Sequence, residues 1–356
     1  MSGTTGDLGD GAETGELLST EELAAVAGVM SDAGTTPAAP LTARLIAGGK
    51  SNLTFRLTDG ASSWVMRTPP RAGRTPSAHD VVREYRVVDA LGPTAVPVAP
   101  AVASYAEEDL IGGAFAICDF VEGRTVQTAD QLADLSDAQV TSAIDALTRT
   151  LAALHAVDHV AVGLERFGRP DGYAARQLKR WTGQWEIVGE HFSGDVRSAA
   201  DRLAARLGEG LPTQHATGIV HGDYRLDNTL IRTGAGPEVT VAAVVDWELS
   251  TIGDPVADVA MMCTYRDPSF DLIIGSPCAW TSPRLPDAET LAASYESAGG
   301  VPLRDFDAHL ALAHYKLAVI AAGIDHRYRA GATHGAGFDT AGDAVGPLLE
   351  AGLRRL

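Results

Sequence analysis

The apolar residues of this chain change period once, and the change marks its organisation. From Leu41 the pattern is short and alternating. Arg44 to Ala47, Leu53 to Thr58 and Trp64 to Arg67 read as three strands, with Asp59-Gly60 as the turn between the last two and Pro69-Pro70 as a stop. Ala78 to Leu91 then repeats at helical spacing, with Val81, Val82, Tyr85, Val88 and Leu91 on one face. Val102 to Ala106 and Phe115 to Val121 supply two further strands. The pattern predicts a five-stranded antiparallel sheet with one helix.

After Glu122-Gly123 the period becomes helical. Ser136 caps a long helix through His155, striped by Val140, Ile144, Leu147, Leu151 and Leu154. Further helices are expected over Tyr173 to His191, Ser198 to Leu207, Asp254 to Tyr265, Ala288 to Ala298, Arg304 to Gly323 and Ala341 to Leu353. Between them, Thr229-Leu230-Ile231 and Val241 to Val245 read as a hairpin. Upstream of the sheet, Met1 to about Glu16 reads as disordered, and Thr20 to Met30 as a short helix with Thr20 as its cap and Leu23, Val26 and Ala27 on one face. The expected fold class is α+β. Residues 1–40 form a flexible acidic N-terminus with a short helix, 41–123 a sheet-rich N-lobe, and 124–356 a mainly helical C-lobe.

Composition narrows the classes. The 356 residues can bury a large core, and 45% hydrophobic with 21% charged residues is ordinary for a globular protein. A formal net charge of −18 argues against nucleic acid and an anionic membrane surface as partners. Cys118, Cys263 and Cys278 make neither a CxxC pair nor a metal-ligand spacing. The N-terminal stretch lacks a signal peptide's charged start and apolar core, and no apolar run reaches membrane-spanning length, so a cytoplasmic location is expected.

The chemistry is concentrated in His221-Gly222-Asp223-Tyr224-Arg225-Leu226-Asp227-Asn228 and, after a short hairpin, Val244-Val245-Asp246-Trp247-Glu248. Phosphoryl transfer from ATP needs one carboxylate to orient the attacking hydroxyl and accept its proton. It also needs an amide oxygen and a second carboxylate to hold Mg2+ against the phosphates. Asp223 can do the first, and Asn228 and Asp246 the others. An isolated His-x-Asp is usually a turn or a satisfied polar pair. The order Asp, Asn, Asp with strand-like runs between is much rarer.

HGDYRLDN followed by VVDWELSTIGDPVADVA resembles the aminoglycoside phosphotransferase family of small-molecule kinases. GGKSNLTFRL, WVMRTPP, SAHDVVREYRVVDAL and FAICDFVEG strengthen the likeness. That longer pattern is most similar to the branch related to the kinase domain found beside acyl-CoA dehydrogenases. The resemblance covers roughly Leu41 to the C-terminus and implies a bilobal protein-kinase-like fold. It implies ATP and Mg2+ as cofactors and a small-molecule hydroxyl acceptor, and leaves a homodimer open.

Gly48-Gly49-Lys50-Ser51-Asn52 is not a Walker A loop, because Arg44 stands where its first glycine belongs and a strand, not a helix, follows. It reads as a hairpin loop covering the ATP phosphates with backbone N–H groups, an ordinary glycine turn being the plainer alternative. Arg67 ends the third strand where kinases usually place a lysine on the α- and β-phosphates, and Glu84 is its natural ion-pair partner. A surface arginine and a solvated helix glutamate are the alternative. Asp119-Phe120-Val121 resembles the lobe hinge, whose backbone would bond adenine.

His221 reads as orienting the loop, Arg225 and Asp227 as structural, Asp254 as a helix cap, and Asp258 as a tie between that helix and the catalytic loop. Trp181 and Trp185 read as packing, with the acceptor pocket as the alternative. The sequence thus describes an ATP-dependent O-phosphotransferase. Only seven residues separate Asp246 from Asp254, too few for the activation segment of a protein kinase. A non-catalytic nucleotide-binding pseudokinase and a metal-dependent phosphohydrolase are the rivals. Among acceptors, the branch resemblance favours a hydroxyacyl thioester and the family name an aminoglycoside.

Overall fold

A computed structural model describes residues 18–48, 52–70, 80–332 and 338–356. The expectations for Met1 to Glu16, for Gly49, Lys50 and Ser51, and for the first residues of the Ala78 helix lie outside the described residues. The chain divides into two compact units, Met1–Arg86 with Pro100–Phe120, and Val87–Ala99 with Val121–Leu356.

The first unit is a five-stranded antiparallel sheet. In chain order its strands are β1 (Thr42–Gly48), β2 (Leu53–Thr58), β3 (Ser63–Thr68), β4 (Ala101–Tyr105) and β5 (Phe115–Asp119). Their spatial order is β1-β2-β3-β5-β4. Strand period two decides its faces. Phe55, Leu57, Trp64, Met66, Phe115 and Ile117 turn to one side and bury, together with Val26 and Met30 of α1 (Thr20–Asp32). Each such side chain contributes about 1.5–3 kcal/mol on burial. The same alternation turns Arg67, between buried Met66 and Thr68, away from that core. The cap of α1 is Ser19 rather than Thr20. Ser19 is extended and accepts from Glu22 N, while the Glu22 carboxylate accepts from Ser19 N, so the capping box fixes the start one residue early.

The second unit is mainly helical. Its core takes in Val87, Leu91 and Val96 and the stripe of α4 (Asp137–His155), which starts on a Ser136 capping box. Around it lie α5 (Tyr173–Val188), α6 (Gly194–Glu209), α7 (Pro255–Thr264), α9 (Ala288–Ser297), α10 (Phe306–Arg329) and α11 (Val345–Arg354). Two short helices, α3 (Ala129–Ala133) and α8 (Phe270–Ile274), escaped the periodicity because five residues hold barely one turn. The expected helix from Arg304 begins later, at Phe306, and runs six residues past Gly323 to Arg329. The hairpin is β7 (Thr229–Thr233) with β8 (Val239–Val244). A second two-stranded sheet pairs β6 (Gly218–Val220) with β9 (Thr251–Gly253). β9 is three residues long and shows no alternation to read. Among the described residues no helix is long and apolar enough to cross a membrane. Burial pushes the thiols of Cys118 and Cys263 up to about 12, which leaves both unreactive.

Two glycines test this packing. A Cβ at Gly253 would sit 2.4 Å from the Tyr173 ring, whereas Gly183, exposed in the middle of α5, has nothing within 4 Å. Gly253→Ala is expected to destabilise by about 1–3 kcal/mol through overpacking. Gly183→Ala should stabilise by about 0.5–1 kcal/mol through helix propensity. Urea unfolding of the two variants checks the opposed signs; a neutral Gly253→Ala would mean that β9 has room to shift.

Candidate active site

In the first unit the structure brings three expected residues together. Arg67 Nη1 lies 3.0 Å from Glu84 Oε2, and Asn52 Nδ2 donates to Glu84 Oε1 at 3.1 Å. Glu84 stands on the first turn of α2 (Val81–Leu91) and is buried. A buried carboxylate needs both oxygens satisfied, and here an arginine and an amide do so. The guanidinium is therefore fixed against the sheet rather than free to sample solvent. Gly48 ends β1, and Asp119 ends β5 one residue before the break to the second unit. Asp119 N donates to Pro100 O and Phe120 N to Ser63 O, so these two amides are already engaged. Val121 opens the long segment of the second unit and is half-buried.

In the second unit the loop after β6 carries the expected base. Gly222 adopts φ +88°, and a Cβ there would fall 2.8 Å from Leu249 O. Glycine is required on both counts. The turn is anchored from below by Asp258 on α7, which accepts from His221 N at 2.6 Å and Gly222 N at 2.7 Å. His155 Nε2, at the end of α4, lies 3.3 Å from the same carboxylate, and the other ring nitrogen lies 2.7 Å from the Tyr295 hydroxyl. Burial would raise the Asp258 carboxyl; the His155 hydrogen bond and charge, with His221 and the Gly222 amide, hold it below the usual aspartate value.

Asp223 has both oxygens engaged from one side. Asn228 Nδ2 donates to Oδ2 at 2.9 Å and to the Asp223 carbonyl at 2.7 Å, and Arg225 Nη1 donates to Oδ1 at 3.1 Å. Arg225 Nε also bonds Asp227 Oδ1 at 2.5 Å, and its guanidinium lies over the Tyr265 and Phe270 rings. Burial works against the Arg225 charge, but Asp223 and Asp227 together raise its pKa above the free value. Sequence reasoning gave Arg225 no contact with the base; its position two residues after Asp223 was the available signal.

The 3₁₀ turn Leu226–Asn228 delivers Asn228 to the start of the β7–β8 hairpin. Val245 N donates to Asn228 O at 3.0 Å, and Val245 O lies 3.0 Å from His221 Nε2. Asp223 N donates to His221 Nδ1 at 3.3 Å, which leaves the Nε2 proton for Val245 O. These contacts place the residue before Asp246 against both the catalytic loop and Asn228. Asp246 itself has φ 65° and ψ 62°. A non-glycine residue in the left-handed region costs roughly 1 kcal/mol, and such strain gathers at functional sites. Asp254 caps α7 by accepting from Val256 N. Trp185 is buried, while Trp181 reaches a small cavity behind Gly222 with Lys316 of α10. Lys316 was missed, since a lone lysine inside a helical stripe carries no motif.

Comparison with known proteins places the chain in a family. Residues 42–328 match the model of the phosphotransferase enzyme family. The chain is 32% identical over 329 residues to human acyl-CoA dehydrogenase family member 11, covering 91% of this chain and 41% of that protein. It therefore spans about two fifths of the length of that relative. It superposes on a putative aminoglycoside phosphotransferase from Ralstonia eutropha JMP134 with a TM-score of 0.78 and 35% identity, covering 93% of this chain and 97% of the other. Aminoglycoside phosphotransferase APH(4)-Ia, solved in ternary complex with AMP-PNP and hygromycin B, shares the fold at 16% identity. Its TM-score is 0.57, with 87% of this chain and 93% of that one covered.

The Asp258 anchor yields a pH prediction. Its folded-state pKa is depressed, so its contribution to stability is present above the unfolded value of about 3.9 and is lost as pH falls through the folded value. Asp258→Asn should destabilise by about 3–5 kcal/mol near neutral pH, and the gap to wild type should narrow once pH drops below about 4. Denaturant unfolding across pH measures both, and a gap independent of pH would show that the carboxylate charge is not what anchors the loop.

Proposed function

The chain belongs to the phosphotransferase enzyme family, and from that premise we propose that it moves the γ-phosphate of ATP to a hydroxyl of a small molecule. The observation that carries this reading is the Asp223–Asn228–Arg225 cluster. The carboxylate is held by Asn228, Arg225 and the Tyr265 hydroxyl, and of the four lone-pair sites of an ionised carboxylate one is left for an incoming hydroxyl. Asp223 would orient that hydroxyl and take its proton as the bond to phosphorus forms.

Asn228 and Asp246 would hold Mg2+. Asn228 gives its Nδ2 to Asp223, so Oδ1 is the face left for a cation, and amide and carboxylate oxygens suit a hard ion. Among the described residues no group of three or more His, Cys, Asp or Glu is placed to bind a metal. A Mg2+ ion with few protein ligands, completed by phosphates and water, fits that donor set. When bound, it would neutralise charge on the phosphates. Arg67, fixed by Glu84 and Asn52, and the loop from Gly48 through Gly49, Lys50 and Ser51 would bind phosphate oxygens. The backbone at Asp119 and Val121 would meet adenine. The acyl-CoA dehydrogenase name of the 32%-identical relative supports a hydroxyacyl thioester or similar metabolite as acceptor over an aminoglycoside.

The test is ATP consumption against a panel of hydroxylated metabolites and aminoglycosides, with Asp223→Asn beside the wild type. Turnover of the best acceptor should fall by about 10²–10⁴ in the variant while Mg·ATP still binds. Turnover within a few-fold of wild type would remove Asp223 from the mechanism. In the same assay Arg67→Ala should lose about tenfold more in kcat/KM for ATP than Lys50→Ala, since Glu84 holds the Arg67 guanidinium in place before ATP arrives. The reverse order would pass the phosphate site to the loop.

A further inference from the structure

Behind the catalytic loop lies a partly enclosed cavity of about 20 Å³, lined by Gly222, Asp258, Gln177, Trp181, His309 and Lys316 among others. That volume admits one or two water-sized groups and not a sugar ring. Its polar lining is unequal in sign. Asp258 has both oxygens taken, by His221 N, Gly222 N and His155. Burial pushes the His309 imidazole down to about 4, so that ring is neutral.

Lys316 differs from these. Its ammonium donates to Gly222 O at 3.3 Å and stands 6.0 Å from the Trp181 ring centroid. Among the described residues no carboxylate lies within ion-pair distance of it, so two of its three N–H donors remain open. Desolvation lowers its pKa from the usual lysine value, with Asp223 and Asp258 opposing. Gln177 accepts from Trp181 Nε1 through Oε1 at 3.0 Å, and among the described residues its NH2 group has no partner. An enclosed ammonium with unused N–H groups is costly unless a ligand or water completes it.

We propose that Lys316, with Gln177, is the specificity-determining element of the acceptor site. The ammonium and amide donate to a carboxylate or acyl-carbonyl oxygen of the acceptor, and a hydroxyl of the same molecule then lies beside Asp223. This rests on the phosphotransferase reading above and adds to it the sign of the acceptor. Lys316 bonds the carbonyl of Gly222, so an oxygen held there lies one residue along the loop from Asp223. A polycationic acceptor would meet the ammonium and find Asp258 already occupied. Arg180, on the same helix as Gln177, adds positive charge near Lys316.

The test uses the full chain, Lys316→Met and Lys316→Arg, and three acceptor types: short hydroxy acids, their thioesters, and neutral polyols. In Lys316→Met, kcat/KM for the first two should fall by about 10–100-fold, mostly in KM, with less than about threefold change for polyols. Lys316→Arg should restore part of the loss. A larger loss on the acids than on the thioesters would identify the carboxylate as the anchored group, and the reverse the acyl carbonyl. Equal losses across all three types would show a structural role and overturn the proposal, as would wild-type preference for aminoglycosides. Calorimetric titration of a short hydroxyl-free carboxylate into wild type and Lys316→Met requires no turnover. Binding to the wild type that the variant loses supports the selector; no binding and no carbonyl preference refutes it. Binding without any phosphoryl transfer would sink the kinase reading and leave the anion site standing.

Discussion

The second unit is organised around one buried carboxylate. Asp258 collects two successive backbone amides and an imidazole, and through them fixes where the loop from His221 to Asn228 can sit. A buried aspartate left half-satisfied costs several kcal/mol, so the loop cannot relax away from it without that penalty. The consequence runs outward in steps. Gly222 is held at positive φ, Asp223 N meets His221 Nδ1, and His221 Nε2 reaches the carbonyl before Asp246. Asp223, Asn228 and the residue before Asp246 are thereby placed by a single anchor. Asp246, in the left-handed region, is the strained end of that chain of contacts.

What the sequence disclosed follows from how far each signal reaches. Strand alternation and the Ser136 capping box are local, so the sheet, α4 and the β7–β8 hairpin were legible with boundary errors of a residue or two. The order Asp223, Asn228, Asp246 was readable as a motif, and the structure brings Asn228 onto Asp223 and Val245 onto Asn228. The β6–β9 pairing was not legible, since its partners lie thirty residues apart and each strand has three residues. Asp258 could be assigned as a tie, but its links to His155 and Tyr295 are set by α4 and α9 packing and leave no spacing to read. Lys316 was invisible for the same reason.

Charge shows the same division between chain and site. A net charge of −18 argues against nucleic acid and an anionic membrane surface as partners, yet it says nothing of the groups near Asp223. There Arg225 is clamped between Asp223 and Asp227 and stacked on two rings, and Lys316 faces Gly222 with donors to spare. Arg225 offsets part of the charge that Asp223 and Asp227 bring to the loop. The net charge of the chain and the pairing of charges around Asp223 are therefore separate properties of this molecule.

The two cations also differ in how they can act. Arg225 is pinned by two carboxylates, so it shapes the field at Asp223 without being available to a ligand. Lys316 sits on a long helix packed against α5, α7 and α11, and its ammonium keeps open donors. A rigid element carrying an uncommitted cation is the arrangement a selective site needs, because the ordering cost is met when the protein folds rather than when the acceptor binds.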